Sequence, residues 1–380
     1  MCKRVKKEII SIFSGIDILG LGFKDDFDVV LAVEKEKMAC ETLKINKTKY
    51  HPNMKIINSD ILEIQNDVIE KYKGVAGIIG GAPCQPFSNA KNSFDPLDER
   101  INCLFEYLRW VKIIKPEFFV LENTDALTQE KKRYILDNFL NIADALGYDV
   151  KYKVLNAHNY GNVQKRNRVI VVGVRRDIDN EYIFPEPTTE KKYVKDIIIP
   201  GEEVGECAKY DSKREYIASF VPQGGNWRNL PTEELIEQAL QGNYAPEKRK
   251  GGMTGVYRRL SMADGYICPT LVTSPVQRNT MAIHPLENRP LSIKEYKRAQ
   301  GIPDDYEILG SIANKYKFIG NAVPFELAKA ISSSIYTSLY SKNIESIKIE
   351  VDEETEIIQY NIETIEKEIK ANAYQLGFVI

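Results

Sequence analysis

Five strand-length apolar runs, separated by stretches of helical spacing, govern what the first 175 residues can fold into. The runs cover residues 9–13, 29–33, 75–79, 118–121 and 169–174; helical patterns fill 36–46, 102–114 and 131–146. Short continuous apolar runs mark strands buried on both faces. Such strands alternating with helices predict a doubly wound, mostly parallel α/β sheet. Sheets of that kind bind ligands outside the carboxyl ends of their strands. The residues just beyond each run are therefore the candidates for function.

Beyond residue 176 the pattern breaks. Pro, Gly and Asn become frequent, as in Phe184-Pro185-Glu186-Pro187, Pro222-Gln223-Gly224-Gly225-Asn226-Trp227 and Gly251-Gly252, and periodicity is weak. Residues 177–288 read as a second unit of loops and short strands. Helical spacing returns over 291–300 and 323–339, so residues 289–340 are expected to rejoin the first unit, residues 1–176. Residues 341–380, rich in Ile and Glu, form an acidic extension.

The net charge of -2 hides an uneven distribution. Residues 207–300 hold 14 Lys/Arg against 9 Asp/Glu, a balance of +5, whereas residues 341–380 hold 4 against 9, a balance of -5. A basic middle masked by an acidic end fits a nucleic-acid face. The six cysteines (Cys2, Cys40, Cys84, Cys103, Cys207, Cys268) are widely spaced and make no CxxC pair, which argues against a disulfide framework and a zinc site; no metal is expected. No apolar stretch approaches the ~18 residues of a membrane span. The basic start lacks the apolar core of a signal peptide. A cytoplasmic protein is expected.

One of these cysteines stands apart. Gly80-Gly81-Ala82-Pro83-Cys84-Gln85-Pro86-Phe87-Ser88 follows directly on the third run, and the prolines fix backbone φ on both sides of the thiol. Glu122-Asn123 ends the next run, 38 residues after Cys84, at the same sheet edge. A held thiol and a neighbouring acid are a nucleophile and a proton donor. A buried cysteine beside a polar strand cap is the bland alternative for the pair. Phe13-Ser14-Gly15-Ile16 turns out of the first run, where doubly wound folds hold nucleotide-like ligands. Glu34 ends the second run, where an acid commonly accepts ribose hydroxyls. Asp60-Ile61 closes the third unit. Gln164-Lys165-Arg166-Asn167-Arg168 precedes the last run; its arginines can orient a carboxylate, clamp a phosphate, acidify a thiol, or form a solvated basic turn.

In this order the segments resemble the motif series of the cytosine-C5 DNA methyltransferases, over about residues 8–335. Phe13-Ser14-Gly15 is similar to the first, S-adenosylmethionine motif. Pro83-Cys84-Gln85 resembles the nucleophile motif, Glu122-Asn123 the acid motif, and Gln164-x-Arg166-x-Arg168 the arginine motif. The segment from Arg289-Pro290-Leu291-Ser292 through Glu295-Tyr296 and Arg298 to Gln300-Gly301-Ile302-Pro303-Asp304 resembles the motif that closes the recognition domain. Gly320-Asn321-Ala322-Val323-Pro324 resembles the last motif, which folds back onto the cofactor. Thr270-Leu271 resembles a marker of the recognition insert. Three departures stand out: Asp17-Ile18 replaces the usual Gly-Gly, Thr124 the usual Val, and Lys91 a common Gly.

The resemblance implies a Rossmann-like methyltransferase fold with a smaller irregular α+β target-recognition domain over 177–288. It implies S-adenosyl-L-methionine as cofactor, S-adenosyl-L-homocysteine as product, and double-stranded DNA as substrate. Cys84, Glu122, Asn123, Gln164, Arg166 and Arg168 take the catalytic roles: Cys84 attacks C6 of a flipped cytosine, Glu122 serves N3, Arg168 holds the cytosine carbonyl, Arg166 supports the acid or a phosphate, and Asn123 holds the Cys84 loop. Phe13, Ser14, Gly15, Ile16, Glu34, Asp60, Ile61, Pro83, Cys103, Asn321 and Ala322 are the cofactor contacts. Gln85, Ser88 and Arg100, on a mobile loop, and Arg228, Arg258, Arg259, Thr270, Gln277 and Arg278, in the insert, are the DNA contacts. A monomer is expected, either serving a restriction-modification system beside a cognate restriction endonuclease or acting as an orphan or phage-borne methylase. An RNA cytosine-C5 methyltransferase acting on tRNA, a catalytically silent DNA-binding relative and a nucleotide-dependent oxidoreductase are the competing readings.

Overall fold

The computed structural model describes residues 6–83, 101–240 and 254–341. Cys84, Gln85, Ser88, Lys91 and Arg100 lie outside them, as does the acidic extension beyond Ser341.

The chain opens with β1 (Lys7–Ile12), α1 (Ile18–Phe23), β2 (Phe27–Glu34), α2 (Lys37–Tyr50), β3 (Lys55–Asn58), α3 (Asn66–Glu70) and β4 (Gly77–Gly81). It continues through α4 (Asn102–Ile114), β5 (Phe118–Thr124), α5 (Glu130–Ala145), β6 (Tyr148–Asn156), β7 (Gln164–Lys165) and β8 (Asn167–Arg175). Seven strands form one sheet in the order β3-β2-β1-β4-β5-β8-β6. All its strands run the same way except β8, which pairs antiparallel with both β5 and β6.

The apolar runs become the central strands because both faces are covered. On one face Ile10, Ile12, Ile78, Phe119 and Leu121 meet α4 and α5 through Leu104, Tyr107, Val111, Leu136 and Phe139. On the other, Ile9, Val29, Ile79, Val120 and Ile170 meet Phe23 and the chain's return helix. Edge strand β6 was not among the apolar runs. Its Tyr148-Asp149-Val150-Lys151-Tyr152-Lys153 stretch is only partly buried, so it carries polar side chains that blur the apolar signal.

The remainder contains α6 (Ser212–Ser219), α7 (Glu233–Leu240), β9 (Arg258–Arg259), β10 (Cys268–Pro269), β11 (Ala282–Ile283), α8 (Ile293–Ala299), α9 (Ile312–Asn321) and α10 (Phe325–Tyr340). Ile217, Trp227, Leu235, Val256, Met281 and Ile283 form a small core of their own. A capping box starts α8: the Ser292 hydroxyl accepts from the Glu295 amide, and the Glu295 carboxylate accepts from the Ser292 amide at 2.6 Å. Return helix α10 lies directly on α1, where Gly22 permits the approach: a Cβ there would sit 2.4 Å from Cβ of Ala328.

Candidate active site

β1 has β2 on one side and β4 on the other, so the strand order reverses between them and opens a crevice at their carboxyl ends. The turn after β1 is unusual in its backbone. Phe13, Gly15 and Asp17 all have positive φ (53°, 55° and 50°), a region that non-glycine residues rarely enter. Nothing lies within 4 Å of a Cβ built on Gly15, so the turn leaves open space there.

The turn is tied to the end of β2. The Gly15 amide donates to Glu34 Oε2 and the Glu36 amide to Glu34 Oε1, both at 2.8 Å. At the end of β3 the Asp60 carboxylate caps a short turn by accepting from the Leu62 amide at 3.1 Å, and Ile61 is buried behind it. Asp17 answers for the missing Gly-Gly. It caps α1, accepting from the Gly20 amide at 3.1 Å and from the Ser11 hydroxyl at 2.7 Å. Burial pushes its carboxyl up to about 7.

One strand over, Gly81 of β4 stands beside Glu122 of β5. A Cβ on Gly81 would lie 2.8 Å from Glu122 Oε2, so the glycine makes room for the carboxyl. Arg168 stands opposite Thr124 across the antiparallel pair and reaches diagonally to Glu122, with Nε 2.7 Å from Oε1. Glu122 is 7% exposed; burial raises its pKa from the ordinary glutamate value despite the opposing pull of Arg168 and Arg166. It therefore keeps a proton to higher pH than a surface glutamate. Asn123 donates from Nδ2 to the Ala82 carbonyl at 3.1 Å, holding the Ala82-Pro83 segment that leads into Cys84. The Gly80-Gly81 pair was legible only as a turn signal; its service to Glu122 needed the strand register.

Other expected site residues are placed differently. Arg166 is 1% exposed and donates to the carbonyls of Leu271 (2.9 Å), Gly320 (2.6 Å) and Ala322 (3.3 Å), so its guanidinium is enclosed by backbone and does not face a phosphate. Gln164, fully buried, donates to the Ala299 carbonyl and to Gln300 Oε1 at 2.8 Å each. Arg259, expected to read DNA, is 5% exposed and donates to the carbonyls of Val221, Ala218, His284 and Glu287 and to Asn288 Oδ1. It organises the insert from inside, which corrects that expectation.

Arg228 is exposed, its guanidinium 4.9 Å from the ring centre of Trp227. Arg258 is half-buried and donates to Thr254, Gln277 is exposed, and the Arg278 side chain lies outside the described residues. Thr270 is exposed and donates to the Lys165 carbonyl. Cys103 is buried in α4, Asn321 is exposed, and Ala322 half-buried. Among the described residues no helix is long and apolar enough to cross a membrane, and no cluster of His, Cys, Asp or Glu has the makings of a metal site.

A family model of C-5 cytosine-specific DNA methylases matches residues 7–337, and the chain belongs to that family. Its relatives include the type II methyltransferase M.PspPI of a Psychrobacter species, 37% identical over 341 residues that make up 87% of this chain and 79% of that protein. The type II methyltransferase M.Sau96I of Staphylococcus aureus is 34% identical over 335 residues, 86% of this chain and 75% of that one. A solved Escherichia coli prophage protein, described as a DNA modification methyltransferase, superposes with a TM-score of 0.65 at 25% identity, covering 88% of this chain and 100% of its own.

Proposed function

We propose that the protein methylates C5 of a cytosine flipped out of duplex DNA, within a short specific sequence, and thereby protects DNA in a restriction-modification system. The observation that carries this reading is the buried Glu122–Arg168 pair beside Gly81, three residues before Cys84.

Cys84, as thiolate, adds to C6 of the cytosine. Glu122, which burial inclines to hold a proton, hydrogen-bonds or protonates N3 and draws charge off the ring as the adduct forms. Arg168 keeps Glu122 oriented and offers its remaining donors to the cytosine carbonyl. Asn123 fixes the backbone ahead of the thiol. When the C5 proton leaves, expulsion of Cys84 restores the aromatic ring. S-adenosyl-L-methionine would supply the electrophilic methyl group. The open space over Gly15, the acid at the end of β2 and the acid at the end of β3 suit such a group: Phe13, Ser14, Gly15 and Ile16 would line it, Glu34 would meet the ribose, and Asp60 with Ile61 the adenine.

The deciding experiment is base-resolution 5-methylcytosine sequencing of DNA from a non-methylating host that expresses this protein, beside Cys84→Ser. A short motif methylated only by the wild type is the expected result. Equal methylation by the mutant removes Cys84 from the chemistry, and none from well-folded wild type removes the DNA reading.

A further inference from the structure

Three segments far apart in sequence meet in one buried polar seam. The first is Gln164-Lys165-Arg166. The second is residues 270–273 of the insert, and the third is the turn formed by the last residues of α9 and its cap, 319–322, which leads to α10. Both polar groups of the Leu271 backbone are taken by the first segment: its amide donates to Gln164 Oε1 at 3.0 Å, and its carbonyl accepts from Arg166 at 2.9 Å. The next carbonyl, Val272, accepts from the Tyr296 hydroxyl at 3.1 Å. The turn at 320 presses on the same backbone. A Cβ on Gly320 would sit 2.6 Å from the Val272 carbonyl oxygen and 2.8 Å from the Thr273 nitrogen.

Gln300 closes the network. Its Oε1 accepts from Gln164 Nε2 at 2.8 Å, while its Nε2 donates to the Ile319 carbonyl at 2.7 Å and the Ala322 carbonyl at 3.3 Å. Its own carbonyl accepts from the Phe325 amide, the start of α10. Gln300 is fully buried. Only a side chain with one donor end and one acceptor end at this reach links the two partners, since Gln164 offers it a donor and the turn offers carbonyls. An apolar replacement takes one of two acceptors from Gln164 Nε2, leaving it the Ala299 carbonyl, and leaves the Ile319 carbonyl to the Ala322 amide at 3.2 Å and the Ala322 carbonyl to Arg166 at 3.3 Å, so the link between Gln164 and residues 319–322 is lost.

We propose that Gln300 is a positioning residue through which cofactor binding and target recognition depend on each other. The proposal rests on the reading above, in which Asn321 and Ala322 face the cofactor and the insert reads DNA. Arg166 bonds both the turn and the Leu271 backbone, and Gln300 joins the turn to the Gln164 that holds the Leu271 amide, so neither is set without the other. A ligand that orders one stabilises the arrangement the other ligand needs, which is a reciprocal coupling of affinities.

The test measures the affinity of full-length protein for S-adenosyl-L-homocysteine by calorimetry, alone and with a duplex carrying the sequence the wild type methylates. Wild type should bind it more tightly on DNA by a factor of about 5–150, the usual span for coupled sites. In Gln300→Met that factor should fall to within about twofold of unity, and KM should rise for both DNA and S-adenosyl-L-methionine while kcat at saturation changes little. Loss of thermal stability with the factor intact, or a rise in only one KM, overturns the proposal. Should Gln300→Met fail to fold, Gln300→Glu keeps the size and the acceptor for Gln164. Its carboxyl can donate to the turn only when protonated, so coupling relative to wild type should be weak at high pH and recover as pH falls. Wild-type coupling at every pH in that variant overturns the proposal equally. If the wild type neither binds S-adenosyl-L-homocysteine nor methylates DNA, the underlying reading falls and takes this one with it; intact wild-type behaviour with unaffected Gln300 variants refutes the coupling alone.

Discussion

The strand edge around Glu122 and the seam around Arg166 are built from the same short stretch of chain, yet they solve opposite problems. Arg168 meets a carboxylate, with side chains 14% and 10% exposed. Arg166, two residues earlier, meets three backbone carbonyls and no solvent. Arg168 shares its donors between the Glu122 carboxylate and the neighbouring Asn167 carbonyl at 2.7 Å. Charge that holds a scaffold is enclosed and bonded to backbone. Arg258 and Arg259 repeat the division inside the insert, where one is half-buried and the other organises five acceptors.

Substitutions should separate the two kinds of site. The largest effect is expected for Glu122→Gln, which should slow methyl transfer by ~10²–10⁴, the usual range for a lost general acid, while thermal melting stays near wild type. Unchanged single-turnover rates would take the strand edge out of the chemistry. Arg166→Ala should do the reverse. It strands buried carbonyls, each worth about 1–3 kcal/mol, so denaturant melts should show ~3 kcal/mol or more of lost stability. A mutant of normal stability but dead chemistry would erase the distinction drawn between the arginines.

Asp17 sharpens the comparison through pH. Its folded pKa of about 7 lies above the ordinary value of 3.8, so the folded state binds the extra proton. The stability that Asp17 contributes should then fall as pH rises from about 4 to about 7, by up to ~1.4 kcal/mol per pH unit, and level off above. Asp17→Asn should flatten that window, which melting temperatures across pH would reveal. The smallest effect belongs to the exposed Arg228: Arg228→Ala should weaken DNA binding evenly across sequences and lower the salt slope by about 1. A sequence-selective loss would make Arg228 a base reader instead of a phosphate grip.

Much of the edge was legible in the chain because buried parallel strands are simple apolar runs. The acid after 118–121 and the cysteine after the Gly-Gly pair fall where those runs end. α8 was legible through the helical spacing over 291–300. The seam was not legible. The carbonyls that receive Arg166 come from residues 105 and 154 positions away, and nothing local to an arginine tells whether distant backbone will converge on it. Arg259 was read as a DNA contact for the same reason: in a Gly- and Pro-rich insert an arginine looks solvent-bound until the turns around Ala218 and Glu287 fold over it. β6 went unseen because a sheet edge does not require an unbroken apolar run.

The antiparallel placement of β8 against β5 also bears on how the protein is made. Glu122 and Arg168 lie on paired strands, both of which are complete once residue 175 has been synthesised. The acceptors of Arg166 arrive only with residues 271, 320 and 322. N-terminal portions fold first during translation. A nascent chain thus makes the strands of Glu122 and Arg168 well before the carbonyls that Arg166 needs, and that arginine waits for residues 271–322 to find its partners.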